Sequence, residues 1–241
     1  MRSLFTKLSL ALALVLLLAA SALAAPPSDV IPSKTGDVTV SFIGHGSLMF
    51  QWQGKVAYVD PWTRLNSYEE LPKADLVLVT HEHDDHLDPR AVKRVTKEGT
   101  LVAGSKKASR KLDNAKALEN GQSADFAGIK VDAVPAYNVV NSKYHAEGDG
   151  NGYVLHFGEL RVYVAGDTED IPEMAKLKGV DVAFLPCDGT YTMTTGMLVK
   201  AAAMVQPKIL YPYHSNEANM AKVEEALKAV PGIEVRIRPM K

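Results

Sequence analysis

The spacing of apolar and polar positions changes along this chain, and the changes mark out its elements. Residues 38–43 (VTVSFI) alternate between apolar and polar, the two-residue period of a half-buried strand. A second strand turns at Gly54 and runs through residues 56–59 to Asp60-Pro61-Trp62, where proline has no N–H to give a strand ladder. Residues 74–80 (ADLVLVT) are almost continuously apolar, as in a strand buried on both faces. Residues 89–97 have helical spacing with Pro89 in the first turn, and 101–104 form a short strand. Residues 129–136 predict another strand, followed by a glycine-rich, irregular stretch over 138–152. Residues 153–157 and 160–165 predict a hairpin across Gly158-Glu159. Strands at 182–185, 209–213 and 233–237 then alternate with helices at 195–205 and 217–229. Strands followed by alternating strands and helices imply two sheets covered on the outside by helices, with no sequence repeat.

Residues 1–24 stand apart from this pattern. Arg2 and Lys7 form a basic start, residues 8–20 an apolar run, and Ala22-Leu23-Ala24 a small-residue cleavage signal ahead of Pro26 and Pro27. This reads as a secretory signal peptide cut after Ala24, so the chain is expected to be exported to the periplasm or beyond, with no stable membrane insertion after cleavage. An uncleaved anchor is the alternative, since the uncharged stretch reaches Ala25. Residues 25–37 read as a polar, proline-containing lead-in, and 38–241 as a single domain, for which a chain of 241 residues has enough apolar content. Cys187 is the one cysteine, which rules out an intramolecular disulfide and leaves packing or metal to supply stability. A net charge of −1 gives no electrostatic footprint for nucleic acid, and Lys106, Lys107, Arg110 and Lys111 have the spacing of a solvated helix face.

The chemistry concentrates in residues 79–88 (VTHEHDDHLD), where three imidazoles and several carboxylates follow a buried strand. Neutral imidazole and carboxylate are the donors that zinc and similar divalent ions prefer, and a strand end gives the loop a rigid base. His-x-His-x-Asp-His in this position is too specific a pattern for a solvated charged loop.

With that motif the chain resembles the metallo-β-lactamase superfamily. Gly44-His45-Gly46-Ser47 and Val59-Asp60-Pro61-Trp62 resemble the opening of the branch with ascorbate-phosphate lactonase-like proteins and N-acyl-phosphatidylethanolamine phospholipase D. Ala165-Gly166-Asp167-Thr168 and Tyr211-Pro212-Tyr213-His214 resemble the superfamily's later motifs. The resemblance implies an α+β fold, a four-layer αββα sandwich, with two divalent metal ions along one edge of its sheets. Zinc is foremost, with Mn2+ or Fe2+ as alternatives. His81 and His83 would hold the first ion, Asp85, His86 and His214 the second, and Asp167 both. Relatives often carry a further histidine after the strand at 131–136, where this chain has Asn138. His145 resembles the histidine of a subgroup and is favoured over Asn138, because imidazole is the stronger donor.

His45 falls in a loop that the family brings near the site, and Tyr191 in a segment that borders its pocket. Both are candidates for protonating the leaving group, and Tyr191 is equally readable as packed beneath its loop. Asp60 is expected to fix a ligating imidazole's tautomer, while His156, Cys187, Met193 and Met197 read as structural. The implied activity is hydrolysis of a small ester, lactone or phosphodiester by hydroxide shared between two metals and oriented by Asp85. The alternative is a non-catalytic metal-binding protein on the same fold. A redox diiron enzyme would want a carboxylate at position 83, and a nuclease a basic surface; this chain has neither.

Overall fold

The computed structural model describes residues 25–215 and 217–240; the signal-peptide reading of residues 1–24 lies outside them. Its first sheet opens as an antiparallel meander of β1 (Ser28–Ile31), β2 (Val38–Gly44), β3 (Ser47–Trp52) and β4 (Lys55–Val59). It continues in parallel through β5 (Leu76–Val79), β6 (Leu101–Gly104) and β7 (Lys116–Ala117). The second sheet repeats this plan. β8 (Ser123–Phe126), β9 (Ile129–Ala136), β10 (Gly150–Phe157) and β11 (Leu160–Val164) are antiparallel, and β12 (Val182–Cys187), β13 (Ile209–Ser215) and β14 (Glu234–Val235) follow in parallel. Among the described residues each sheet has seven strands in sequence order, so one topology occurs twice although the sequence shows no repeat.

Three apolar clusters define four layers. Between the sheets, Val40, Phe42 and Phe50 of the first face Leu155, Phe184 and Tyr211 of the second. Outside the first sheet, Tyr58, Val77 and Val79 pack against α1 (Pro89–Val95) and Ala108 of α2 (Lys106–Ser109). Outside the second, Ala183, Leu185 and Leu210 pack against α3 (Thr195–Val205) and α4 (Met220–Leu227). The chain is therefore an αββα sandwich. Along β5, Leu76 and Leu78 enter the inter-sheet core while Val77 and Val79 meet the helices, which is why that strand reads as an unbroken apolar run. Each fully buried Leu or Phe contributes about 1.5–3 kcal/mol relative to exposure. Among the described residues no helix is long and apolar enough to cross a membrane.

Several boundaries differ from the sequence reading. The lead-in carries β1, paired Ser28 to Ser41 through Ile31 to Val38. The irregular stretch ends earlier, because Gly150, Asn151 and Gly152 pair with Ala136, Pro135 and Val134 as the start of β10. Gly152 is required there by close approach: a Cβ would lie 2.8 Å from the Ala165 carbonyl oxygen. β7 and β8 are short strands the sequence reading left out, and the strand at 233–237 shrinks to Glu234–Val235.

Candidate metal centre

The site assembles where strands of both sheets end. Asp60 follows β4 and Thr80 follows β5, and they stitch these ends together: Thr80 N donates to Asp60 Oδ1 at 2.8 Å and Thr80 Oγ1 to Oδ2 at 2.7 Å. Beyond Thr80 the chain turns tightly, with His86 N and Leu87 N donating to the His83 carbonyl. Asp88 then caps α1, accepting from Arg90 N at 2.9 Å and Ala91 N at 3.3 Å. The histidine loop is thus held at both ends. The second sheet braces its base, since Asn151 N donates to Thr80 O at 2.9 Å and Tyr153 Oη to Val79 O at 2.8 Å.

The β2–β3 turn brings His45 in, and His214 N donates to His45 O at 3.1 Å. Gly46 must lack a side chain, because a Cβ there would sit 2.8 Å from His86 Cε1. His45, Asp60 and His214 all have left-handed φ, between 42° and 48°. Non-glycine residues hold that conformation at a cost of about 1–3 kcal/mol each, and it is concentrated where the surroundings enforce it.

The donor atoms fall into overlapping groups. His81, His83 and His145 form one, with His81 Nε2 3.0 Å from His83 Nδ1. His45, Asp85, His86 and His214 form another; Asp85 Oδ2 lies 3.0 Å from His45 Nε2 and 3.8 Å from His214 Nε2. Asp167 stands between the groups, its oxygens 3.3 Å from His86 Nε2, 3.3 Å from His145 Nε2 and 3.4 Å from His214 Nε2. Asn138 is turned elsewhere: its Nδ2 donates to Tyr191 O at 2.7 Å, and its backbone N to His145 O at 2.9 Å. Tyr191 is exposed and stacks edge-on against Tyr144 at 4.9 Å between centroids. Together with the metal-site residues they line a cleft of about 220 Å³. His156 pairs with Asp132 at 2.7 Å, away from the centre. Cys187 is buried in the outer core, its thiol pushed up to about 12 by burial, and Met193 packs beside it.

Two carboxylates, Glu169 buried and Asp188 partly buried, were given no role by the sequence reading. Asp188, directly after β12, stands beside His214 as Asp60 stands beside His86, but at a longer distance and without a hydrogen bond. Its Oδ2 lies 3.3 Å from His214 Nδ1, while Asp60 Oδ2 lies 2.8 Å from His86 Nδ1. Burial raises the Asp188 carboxyl, but the His214 ring beside it and hydrogen bonds from Thr192 Oγ1, Tyr191 N and Thr190 N outweigh it and hold it at about 2. Glu169 accepts from the backbone of Val139, Val140 and Asn141 and so fixes the start of the His145 loop. Asp188 directly follows β12 and Glu169 lies five residues past β11, so position after a strand was the signal that pointed to Asp188.

Electrostatically, the donors divide. Burial, reinforced by His86, holds His81 well below the ordinary histidine value, and burial with His145 lowers His83, so both rings are neutral and offer lone pairs. Burial also lowers His86 and His214, but Asp167 overrides it in each case, and both end up raised. His86 Nε2, both ring nitrogens of His145 and of His214, and Asp167 Oδ1 are buried with no hydrogen-bond partner among the described residues. Each such atom costs roughly 1–3 kcal/mol, so a convergent set of them fits a site completed by cations. Imidazole and carboxylate donors are of the kind that zinc, manganese and ferrous iron accept.

The pattern that defines the beta-lactamase superfamily domain matches residues 39–214. A metal-dependent hydrolase of Pyrococcus horikoshii is 30% identical over 193 residues, covering 74% of this chain and 85% of the relative. Among solved structures, a candidate metal-dependent hydrolase from Parabacteroides distasonis superposes with a TM-score of 0.86 at 45% identity, covering 89% of this chain and 99% of that one. A metallo hydrolase from Ignicoccus hospitalis shares the fold, with a TM-score of 0.72 at 23% identity over 84% of this chain and 95% of its own. With its αββα sandwich and a histidine-rich centre at one sheet edge, this chain belongs to the metallo-β-lactamase superfamily.

Proposed function

We propose that the chain is an exported hydrolase with two divalent metal ions, zinc foremost, acting on a small ester, lactone or phosphodiester. In this reading His81, His83 and His145 hold one ion, Asp85, His86 and His214 the other, and Asp167 serves both. Metal-dependent hydrolysis is what the chain shares with its relatives; the metal count, substrate and compartment are the proposal. The observation that carries it is the set of buried, unpartnered donors converging from both sheets.

Divalent ions in such a centre polarise the scissile group and activate water at neutral pH. The chain's own residues do the rest. Asp60 accepts a hydrogen bond from His86 Nδ1 and Asp188 lies 3.3 Å from His214 Nδ1, so each carboxylate favours a proton on Nδ1 and would leave Nε2 free to ligate. The His214 ring beside it, the hydrogen bond with His45 and the charge of His86 outweigh burial and hold the Asp85 carboxyl well below its usual range, so in this reading it stays an acceptor that orients the attacking group. In this reading His45, hydrogen-bonded to Asp85, and Tyr191, on the cleft wall, would give a proton to a departing oxygen.

The test is elemental analysis of protein purified without chelator, joined to turnover of p-nitrophenyl esters, lactones and bis(p-nitrophenyl) phosphate. Two equivalents of metal and chelator-sensitive turnover are expected. Full activity without metal would overturn the reading, and two bound metals without turnover on any substrate would favour a non-catalytic binding protein.

A further inference from the structure

A second cavity, of about 370 Å³, lies on the outer side of the second sheet, between β9, β11 and the 3₁₀ turn Pro172–Leu177. Val134 and Tyr163 line it from the sheet, Met174 and Leu177 from the turn. None of its lining residues is a donor of the metal centre. β9 borders both places, with Pro135 lining this cavity and Ala136 the recess beside His81 and His145.

Two of its lining residues, Tyr163 and Asn120, carry a buried polar atom with no hydrogen-bond partner among the described residues: Tyr163 Oη and Asn120 Oδ1. Tyr163 is 0% exposed. Its ring lies across Gly152, where a Cβ would stand 3.1 Å from both Tyr163 Cε2 and Val134 Cγ2, so the missing side chain gives the ring its place on the sheet. Burial holds the phenol above its usual value, and the hydroxyl is a donor with nothing to donate to. Phenylalanine would fill the same space without stranding a hydroxyl, and a buried donor left unpaired costs stability that a bound acceptor restores. Asn120 is anchored at its other end, Nδ2 donating to Gly150 O at 3.3 Å.

The charged residues of the lining are Glu173, which accepts from Tyr137 Oη at 3.2 Å, and Lys176, which is exposed. An ion carried down to Tyr163 would therefore leave water for a hydroxyl alone, at a cost that a neutral oxygen avoids. A largely apolar cavity of this size with a few placed polar atoms has the composition of a small-molecule site. We propose that it is a second ligand site, separate from the metal centre. It takes a small neutral molecule whose apolar body lies against Val134, Met174 and Leu177 and whose carbonyl or hydroxyl oxygen accepts from Tyr163 Oη.

The test uses acetophenone and α-methylstyrene, which share a shape and differ in carrying C=O or C=CH2. Binding to the zinc-loaded protein is read from the Met174 methyl signal in methionine-methyl-labelled protein, assigned with Met174→Leu. Acetophenone should shift that signal saturably. In Tyr163→Phe its affinity should fall roughly 3- to 10-fold while that of α-methylstyrene holds or rises. Without ligand Tyr163→Phe should melt no lower than wild type, since it removes the stranded hydroxyl. Acetohydroxamate, a metal ligand, should leave the Met174 shift in place, and benzoate should bind more weakly than acetophenone. No saturable Met174 shift, equal acetophenone affinity in wild type and Tyr163→Phe, or displacement of acetophenone by acetohydroxamate would each overturn the site. A lower melting temperature in ligand-free Tyr163→Phe would show that water or protein already pairs the hydroxyl, and benzoate binding as tightly as acetophenone would refute a neutral ligand.

Discussion

Asp60→Asn is the sharpest probe of the centre because it exchanges one acceptor oxygen for an NH2 donor, removes the charge and changes almost no volume. The residue is buried with a left-handed φ of 47°, a conformation asparagine tolerates. The carboxylate accepts three hydrogen bonds, from Thr80 N, Thr80 Oγ1 and His86 Nδ1, at 2.8, 2.7 and 2.8 Å. A carboxamide has only one oxygen. If that oxygen stays on Thr80 N, its NH2 faces His86 Nδ1, which must then accept. The ring proton moves to Nε2, the atom 3.3 Å from Asp167 Oδ1 that has to be unprotonated to ligate. If the amide flips, Thr80 N loses its acceptor in a dry site, at a cost of about 1–3 kcal/mol. Loss of such a supporting partner lowers metal affinity by roughly 10- to 100-fold. At about 1.36 kcal/mol per decade, that is about 1.4–2.7 kcal/mol. Competition against a chromogenic chelator should therefore find one metal equivalent near wild-type affinity and the other weakened. Two equivalents at unchanged affinity in a folded Asp60→Asn protein would refute the tautomer argument.

His145→Ala should lose or weaken one metal equivalent by roughly 10-fold or more, while Asn138→Ala keeps both and loosens the loop through its lost bond to Tyr191 O; the opposite pattern in elemental analysis would place Asn138 on the metal. Because His86 and His214 are raised and must give up protons to ligate, metal binding should release protons and weaken as pH falls through their raised values; calorimetry in buffers of different ionisation enthalpy reads this, and no release near neutrality would contradict it. Burial raises Asp29, but hydrogen bonds from Arg238 and Tyr211 and the charge of Arg236 outweigh it, so its stabilisation is complete above the ordinary 3.8 and is lost as pH falls through the lower folded value. Asp29→Asn should accordingly cost about 1.5–3 kcal/mol in denaturant titrations near neutrality, with the gap closing in acid. Mass spectrometry of the cell envelope should find a mature chain beginning near Ala25, and an intact Met1 in a soluble cytoplasmic pool would contradict export.

The legible part of this protein is the part written locally. His81, His83, Asp85 and His86 fall within one turn, so the spacing that the chemistry needs appears as a contiguous motif. β5 was readable because both its faces are buried, and the hairpin of β10 and β11 because Gly158 marks its turn. The site's remaining residues are brought together by topology. Asp188 and His214 meet because β12 and β13 lie side by side, and Glu169 reaches Val139 because the loops after β9 and β11 pack together. No local spacing encodes either contact. β1 was hidden by its edge position: Ser28 and Val30 face outward, leaving Ile31 as its one fully buried side chain. β10's first residues were hidden by glycines that mark close approach and not a loop.

The doubled topology explains why the centre lies where it does. Each half turns from antiparallel to parallel pairing after its fourth strand, so each delivers its parallel strand ends, and the loops beyond them, to the same edge. The first half brings His81, His83, Asp85 and His86, the second His145, Asp167 and His214. Neither half alone gathers three donors of both groups, since Asp167 and His145 complete what His81 and His86 begin. Cations held there would link the two sheets at the edge where the inter-sheet core gives way to polar side chains, adding a polar tie to the hydrogen bonds of Asn151, Tyr153 and the His214 backbone. Because that link needs donors from both halves, removing metal should loosen this edge first and leave the apolar core between Phe42, Phe184 and Tyr211 intact.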